Sequence, residues 1–129
     1  MAEWRYYNPS PVARNVGDCA VRALSKALGI DWEAAYATLA MSGFLMADMP
    51  SSNAVMAAIL RKNGFYRHII PNSCPDCYTI EDFSNEHPQG VFVVGTGDHV
   101  VTVEDGTIYD SWDSRKEIPV YYWSMEVGE

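Results

Sequence analysis

The clearest structural signal in the chain is the stretch GDHVVTVEDGTIYD, residues 97–110. Runs of β-branched residues flank Asp105-Gly106, a dipeptide typical of the two-residue turns that join antiparallel strands. With such a turn, side chains two residues apart share a face of the hairpin, and His99 and Asp110 become diagonal neighbours on one face. The sequence therefore predicts a β-hairpin that holds an imidazole close to a carboxylate.

The carboxylate on this face is expected to be buried. Asp110 alternates with Ile108 and Trp112 along its strand, and an unpaired charge among apolar groups costs several kcal/mol. His99 is the only histidine of the hairpin, so it is the natural partner of Asp110. Asp113 points to the opposite face and is the less suitable acid, although a β-bulge would reverse this choice.

The composition is that of an acidic globular domain. The chain has 129 residues, of which 17 are acidic and 9 basic, and a formal net charge of −8. Such a surface repels nucleic-acid phosphates and anionic lipids, and no segment approaches the roughly 20 apolar residues that cross a bilayer. The three cysteines lack disulfide-framework spacing, and the first residues lack a signal-peptide pattern. We therefore expect a single cytoplasmic domain, residues 1–129, with reduced thiols and no nucleic-acid or membrane partner.

Helix signals precede most of the strand signals along the chain. Residues 1–17 are aromatic and proline-bearing, so we expect an extended strap over the core rather than a helix. Helices are predicted at about residues 19–28, from Asp31 to Gly43, at 54–62, and from Thr79 to a stop before Pro88. Strands are predicted at about residues 66–70, 91–94, 99–103, 107–111 and 118–123. The order predicts an α+β fold in which N-terminal helices pack against a C-terminal antiparallel β-sheet.

A cysteine occupies the predicted start of the first helix. Asp18 is expected to cap this helix, which places Cys19 beside unbonded backbone N–H groups and the positive end of the helix dipole. Both effects stabilise a thiolate, and a nearby protonated His99 would lower the pKa of the thiol further. The same N–H groups could bind an oxyanion, with Asn15 as the candidate side-chain donor.

Two arginines flank the predicted start of this helix. Arg14 precedes it and Arg22 lies in its first turn. Either could support a thiolate or bind a carboxylate, although an ordinary surface salt bridge is the expected role.

Three short stretches carry a resemblance to a known family: VGDCAVRA (residues 16–23), GDHVV (97–101) and YDSWD (109–113). They resemble papain-like cysteine peptidases, in particular minimal bacterial and phage-borne relatives akin to the peptidases that trim double-glycine leaders. The resemblance implies a papain-like fold and a thiol-dependent peptidase or amidase that acts on a peptide or protein without a metal or cofactor. It also implies a catalytic triad with Cys19 as nucleophile, His99 as general base and acid, and Asp110 as orienting group.

The stretch Cys74-Pro75-Asp76-Cys77 supports a second interpretation, a zinc or dithiol protein. A zinc site would recruit His68 and His87 as further ligands, although their spacing is irregular. A redox dithiol of this type needs a strand before it and a long helix after it, whereas a short helix is predicted here. A plain turn is a further alternative for this stretch.

A cluster of flexible apolar residues bears on binding rather than on catalysis. Its members are Met41, Phe44, Leu45, Met46, Met49 and Met56. Such side chains could line a substrate cleft or a partner surface, or they could pack in a helical core or loop. A large exposed patch around Met46 and Met49 would favour a non-catalytic binding or inhibitor protein on the same scaffold.

Overall fold

A computed structural model describes residues 2–12, 17–71 and 77–125. The helices of these residues are α1 (Cys19–Leu28), α2 (Trp32–Met46), α3 (Asn53–Lys62) and α4 (Ile80–Glu86). The strands are β1 (Glu3–Tyr6), β2 (Tyr66–Ile69), β3 (Val91–Gly95), β4 (Val100–Glu104), β5 (Thr107–Asp110) and β6 (Tyr121–Ser124). They form one six-stranded sheet in the order β1-β5-β4-β3-β6-β2. The predicted α+β class is confirmed.

The hairpin of β4 and β5 has the predicted register. Val103 pairs with Ile108 across the turn. Asp105 and Gly106 both have positive φ, 52° and 80°, as expected for the two-residue turns that match strand twist. The predicted turn is therefore confirmed. The predicted assignment of side chains to the two faces of the hairpin is confirmed with it.

The sheet is mixed rather than purely antiparallel. β1 pairs parallel with β5, from Glu3 opposite Thr107 to Tyr6 opposite Asp110, so the predicted antiparallel sheet is wrong at this edge. Trp4 anchors the strand, because its ring packs on an apolar cluster and its Nε1 donates to the carbonyl oxygen of Asp110 at 3.3 Å. These two residues are 106 positions apart, so no local turn pattern indicates their pairing.

The end of α2 differs from the prediction for a steric reason. α2 continues to Met46, so Gly43 lies inside the helix instead of ending it. A Cβ at Gly43 would lie 2.8 Å from the carbonyl oxygen of Asp48 and 3.1 Å from the backbone nitrogen of Pro50. The glycine therefore permits the close approach of the following loop. From the sequence, a glycine in this role looks the same as one that ends a helix.

Two apolar clusters lie on opposite faces of the sheet. The cluster beneath α1, α2 and α3 contains the buried side chains of Leu24, Leu60 and Phe65. The cluster beneath α4 contains Ile80 and Phe83. Burial of such side chains supplies the main driving force for this fold.

One buried hydrogen bond fixes α1 against the hairpin. Thr102 Oγ1 in β4 donates to the carbonyl oxygen of Ala23 in α1 at 2.7 Å. Because Cys19 begins α1 and His99 immediately precedes β4, this contact holds together the two elements that carry them.

The flexible apolar cluster lies largely on the surface. In the α2 region, Phe44 and Leu45 are 79% and 74% exposed, and Met41 and Met49 are also exposed. Of the residues in this cluster, only Met56 packs in the core. None of the helices in the described part of the chain has the length and apolar character that a membrane span needs.

A glycine at the end of β3 makes room for an aromatic ring beside the hairpin. Gly95 faces Tyr121 across the sheet, and a Cβ at Gly95 would lie 2.1 Å from Cζ of that ring. We therefore expect Gly95→Ala to lower the free energy of unfolding by about 1–3 kcal/mol, because the ring must leave its position. Urea denaturation measures the change. In a Tyr121→Ala background the same substitution should cost far less, and an undiminished cost would contradict the steric account.

Candidate active site

The side chains of Cys19 and His99 meet at one wall of a cavity. The ring of His99 and the backbone N–H of Val100 lie close enough to the thiol of Cys19 to lower its pKa. Both residues line a cavity of about 370 Å³. The structure thus brings together a thiol and an imidazole that the sequence predicted to be neighbours.

A buried carboxylate fixes the imidazole from its other side. His99 Nε2 lies 2.7 Å from Asp110 Oδ2, and Asp110 is 1% exposed. Because Nε2 is bonded to Asp110, Nδ1 is the ring nitrogen left to interact with the thiol. The ring of Trp112 packs against the imidazole with centroids 4.8 Å apart. The orientation of His99 is therefore determined by both a hydrogen bond and an aromatic contact.

Asp113, the rejected alternative, lies elsewhere. Its carboxylate is exposed and forms an ion pair with Arg115 at 2.7 Å. The prediction that Asp110 rather than Asp113 pairs with His99 is confirmed as a matter of geometry. Its use in catalysis stays a prediction.

The side chains of Cys19, His99 and Asp110 shift one another's pKa values. Burial disfavours each charged form, but hydrogen bonds to Asp110 and to Cys19 raise the pKa of His99 to about 9. Burial likewise opposes the thiolate, yet the hydrogen bonds from His99 and Val100 and the charges of His99 and Arg22 lower the pKa of Cys19 below its ordinary value. For Asp110, burial is outweighed by hydrogen bonds from His99 and Ser114, which lower its pKa. All three shifts favour an imidazolium between two anions.

Asp110 has more partners than the sequence predicted. Oδ1 accepts from Arg22 Nη2 at 3.2 Å and from the backbone N–H of Ser111 at 2.8 Å. Oδ2 accepts from Ser114 Oγ at 2.7 Å in addition to His99. A carboxylate with this many donors keeps its charge despite burial, because each bond replaces a lost contact with water.

Arg22 is a site residue whose importance the sequence did not reveal, although binding a carboxylate was one of the alternatives for it. It is 5% exposed and forms ion pairs with Asp18 and with Asp110, so the expected surface salt bridge is wrong. Asp18 also differs from its prediction, because its side chain does not cap α1. It bonds Arg22 and accepts from Trp32 Nε1 at 2.7 Å instead. The spacing of four residues between Asp18 and Arg22 was the available signal, since it places both side chains on one helix face.

Backbone groups at the start of α1 could bind an oxyanion. The side chain of Asp18 is engaged with Arg22 and does not cap the first N–H groups of α1, which are those of Cys19 and Ala20. Such groups at a helix N-terminus favour negative charge. Asn15, the predicted side-chain donor, lies outside the described residues.

The second cysteine motif has no metal-site geometry in the part of the chain that the structure describes. Cys77 is disulfide-bonded, so the expectation of reduced thiols is wrong for this residue, and Cys74 lies outside the described residues. His68 bonds Ser124 Oγ at 2.9 Å, and His87 bonds the carbonyl oxygen of Phe83 at 2.7 Å. Among the described residues no group of three or more histidine, cysteine or acidic side chains could hold a metal.

Comparisons with protein-family models, with curated proteins and with solved structures found no significant match to this chain. The chemistry of the site therefore has to be argued from its contacts. Cys19 is a free cysteine, held against an imidazole whose far nitrogen is bonded to a buried carboxylate. Such an arrangement can generate a nucleophilic thiolate and transfer a proton.

Proposed function

We propose that this protein is a thiol-dependent hydrolase, a papain-like cysteine peptidase or amidase of bacterial or phage type. Cys19 is the nucleophile, His99 the proton carrier and Asp110 the orienting group. The observation that supports this most strongly is that Cys19 and His99 line the same cavity while His99 is bonded to the buried carboxylate of Asp110. A purely structural polar cluster has no need of a thiol on a cavity wall, whereas a nucleophile must be reached by its substrate.

The proposed reaction has two stages. Cys19 Sγ attacks the carbonyl carbon of the substrate, and the oxyanion that forms is stabilised by the N–H groups at the start of α1. His99 Nδ1 gives its proton to the leaving amine as the carbon–nitrogen bond breaks, which leaves a thioester on Cys19. Water then attacks the thioester while His99 takes its proton, and the carboxylic acid departs with the thiol restored. Asp110 keeps Nε2 protonated throughout and stabilises the imidazolium.

The proposed substrate is a peptide or protein, and the proposed location is the cytoplasm. The net charge of −8 favours substrates that are neutral or basic overall. The disulfide at Cys77 removes reduced thiols as a ground for the cytoplasm. It leaves the chemistry unaffected, because the proposed nucleophile is the separate, free Cys19.

A non-catalytic binding protein on the same scaffold is a second candidate. The exposed apolar side chains of Phe44, Leu45 and Met49 favour it, since contiguous exposed apolar groups mark interaction surfaces. Cys19→Ala separates the two candidates, because it removes a hydrolase activity and leaves partner binding intact.

The reaction with p-nitrophenyl acetate tests the proposed activity. We expect the protein to release nitrophenolate and to carry one acetyl group on Cys19, located by peptide mass spectrometry. Cys19→Ser should reduce nitrophenolate release to the background of the buffer. His68→Asn, in a histidine outside the site, is the control and should react as the unaltered protein does. Equal release by the protein and by Cys19→Ser would overturn the proposal.

A further inference from the structure

Cys19 lies where two cavities of different chemistry meet. One is the cavity of about 370 Å³ that His99 also lines. The other has a volume of about 560 Å³, which is within the range of small-molecule sites. Cys19, Ala20 and Ser51 line both, so a substrate bound across the thiol has one part in each cavity.

The larger cavity is walled mainly by apolar groups. They are Pro11, Val12, Trp32, Tyr36, Leu39 and Pro50. The rings of Trp32 and Tyr36 are stacked, with centroids 5.2 Å apart, and the indole N–H is already bonded to Asp18. Trp32 therefore contributes apolar ring surface to the cavity, and its one polar group is already satisfied.

The smaller cavity has a mixed lining, to which Ala20, Met56 and Val100 contribute apolar surface. Its polar groups, in addition to His99, include Ser51, Ser52, Asn53 and Asp98. These groups suit a peptide backbone or a polar side chain, which would lose hydrogen bonds in the larger cavity.

We infer that the larger cavity binds the acyl part of the substrate and selects an aliphatic or aromatic group there, while the smaller cavity receives the leaving amine. The inference rests on the proposed function. His99 must protonate the leaving nitrogen, so the leaving group lies on the side of His99. Among the described lining residues, His99 belongs to the smaller cavity only, which leaves the larger one for the acyl group.

The charges at the larger cavity exclude an anionic or cationic acyl group. The one charged residue of its described lining is Asp18, and that carboxylate is paired with Arg22 and bonded to Trp32. A charged acyl group would lose its water without gaining a partner. Each buried methylene, in contrast, contributes about 0.8 kcal/mol, which corresponds to about fourfold in rate.

A series of p-nitrophenyl esters tests this inference, since the leaving group stays constant. Sγ forms a bond to the acyl carbon, nitrophenolate departs with the electron pair of the broken carbon–oxygen bond, and His99 takes the thiol proton. We expect the acylation rate of Cys19, divided by that of free cysteine, to rise about tenfold or more from acetate to hexanoate. The mono-ester of succinate should react more slowly than the butyrate.

Two variants in α2 test whether the larger cavity causes the rise in rate from acetate to hexanoate. Tyr36→Asp places a charge in the wall of the larger cavity and should lower the hexanoate-to-acetate ratio at least several-fold. Met41→Asp is the matched control, because both side chains are exposed on α2 but Met41 is not among the lining residues of this cavity. It should leave the ratio unchanged.

The outcomes separate this inference from the proposed function. Acylation of Cys19 by all esters at equal relative rates would overturn the acyl-cavity assignment and leave the hydrolase intact. An equal fall of the ratio in both variants would also overturn it. No acylation of Cys19 by any ester, acetate included, would overturn the proposed function itself.

Discussion

Arg22→Met is expected to lower the free energy of unfolding by about 3–5 kcal/mol, because breaking a buried ion pair leaves an uncompensated charge. Arg22 is 5% exposed, and its guanidinium joins two buried carboxylates, those of Asp18 and Asp110. Methionine can fill much of the same space, so the lost charge rather than a cavity accounts for most of the cost. Urea denaturation followed by circular dichroism gives the change.

The matched control is Arg5→Met. Arg5 pairs with Glu3 at 3.7 Å, and both side chains are well exposed, so the substitution should change the free energy of unfolding by less than about 1 kcal/mol. Arg22→Lys should fall between the two, since lysine keeps the charge but cannot reproduce two separate guanidinium contacts. If Arg22→Met and Arg5→Met lowered the free energy of unfolding by similar amounts, the buried ion pairs would stabilise the fold no more than an exposed one.

Asp110→Asn is expected to slow the acetylation of Cys19 by p-nitrophenyl acetate about 10²–10⁴-fold. Arg22 and the N–H of Ser111 both donate to Oδ1, so the amide oxygen of the variant should stay on that side. Its NH2 group would then face His99 and donate to Nε2. The ring proton would move to Nδ1, and an imidazole protonated there cannot accept the proton of the thiol.

Asp113→Asn provides the comparison for this experiment. Asp113 is exposed and pairs with Arg115, so its replacement should change the acetylation rate less than about twofold. Circular dichroism of both variants verifies folding. A rate for Asp110→Asn equal to that of Asp113→Asn would remove Asp110 from the mechanism.

Local sequence patterns predicted the parts of the site that depend on local geometry. The turn at Asp105-Gly106 determines the register of the hairpin, and strand periodicity then relates His99 to Asp110. Helix-start signals placed Cys19 as the first residue of α1. Each of these inferences spans only a few residues, where backbone geometry is repetitive.

Contacts between distant segments could not be predicted in the same way. Arg22 looks like a surface residue until α1 is packed against the hairpin, where its partner Asp110 comes from 88 positions away. The parallel pairing of β1 has no turn to indicate it. Gly43 carries the pattern of a helix end, but its role is set by the loop that crosses it. In all three cases tertiary packing overrides a local preference.

The pH dependence of Cys19 alkylation by iodoacetamide tests the central claim most directly. The lowered pKa of Cys19 predicts rapid alkylation already below the ordinary thiol value of 9.0, with a second change near pH 9 as His99 loses its proton. His99→Ala should remove both features and move the inflection to the ordinary value or above, because burial then acts without the imidazolium. A single inflection at the same pH in the protein and in His99→Ala would contradict a thiolate–imidazolium pair at this site.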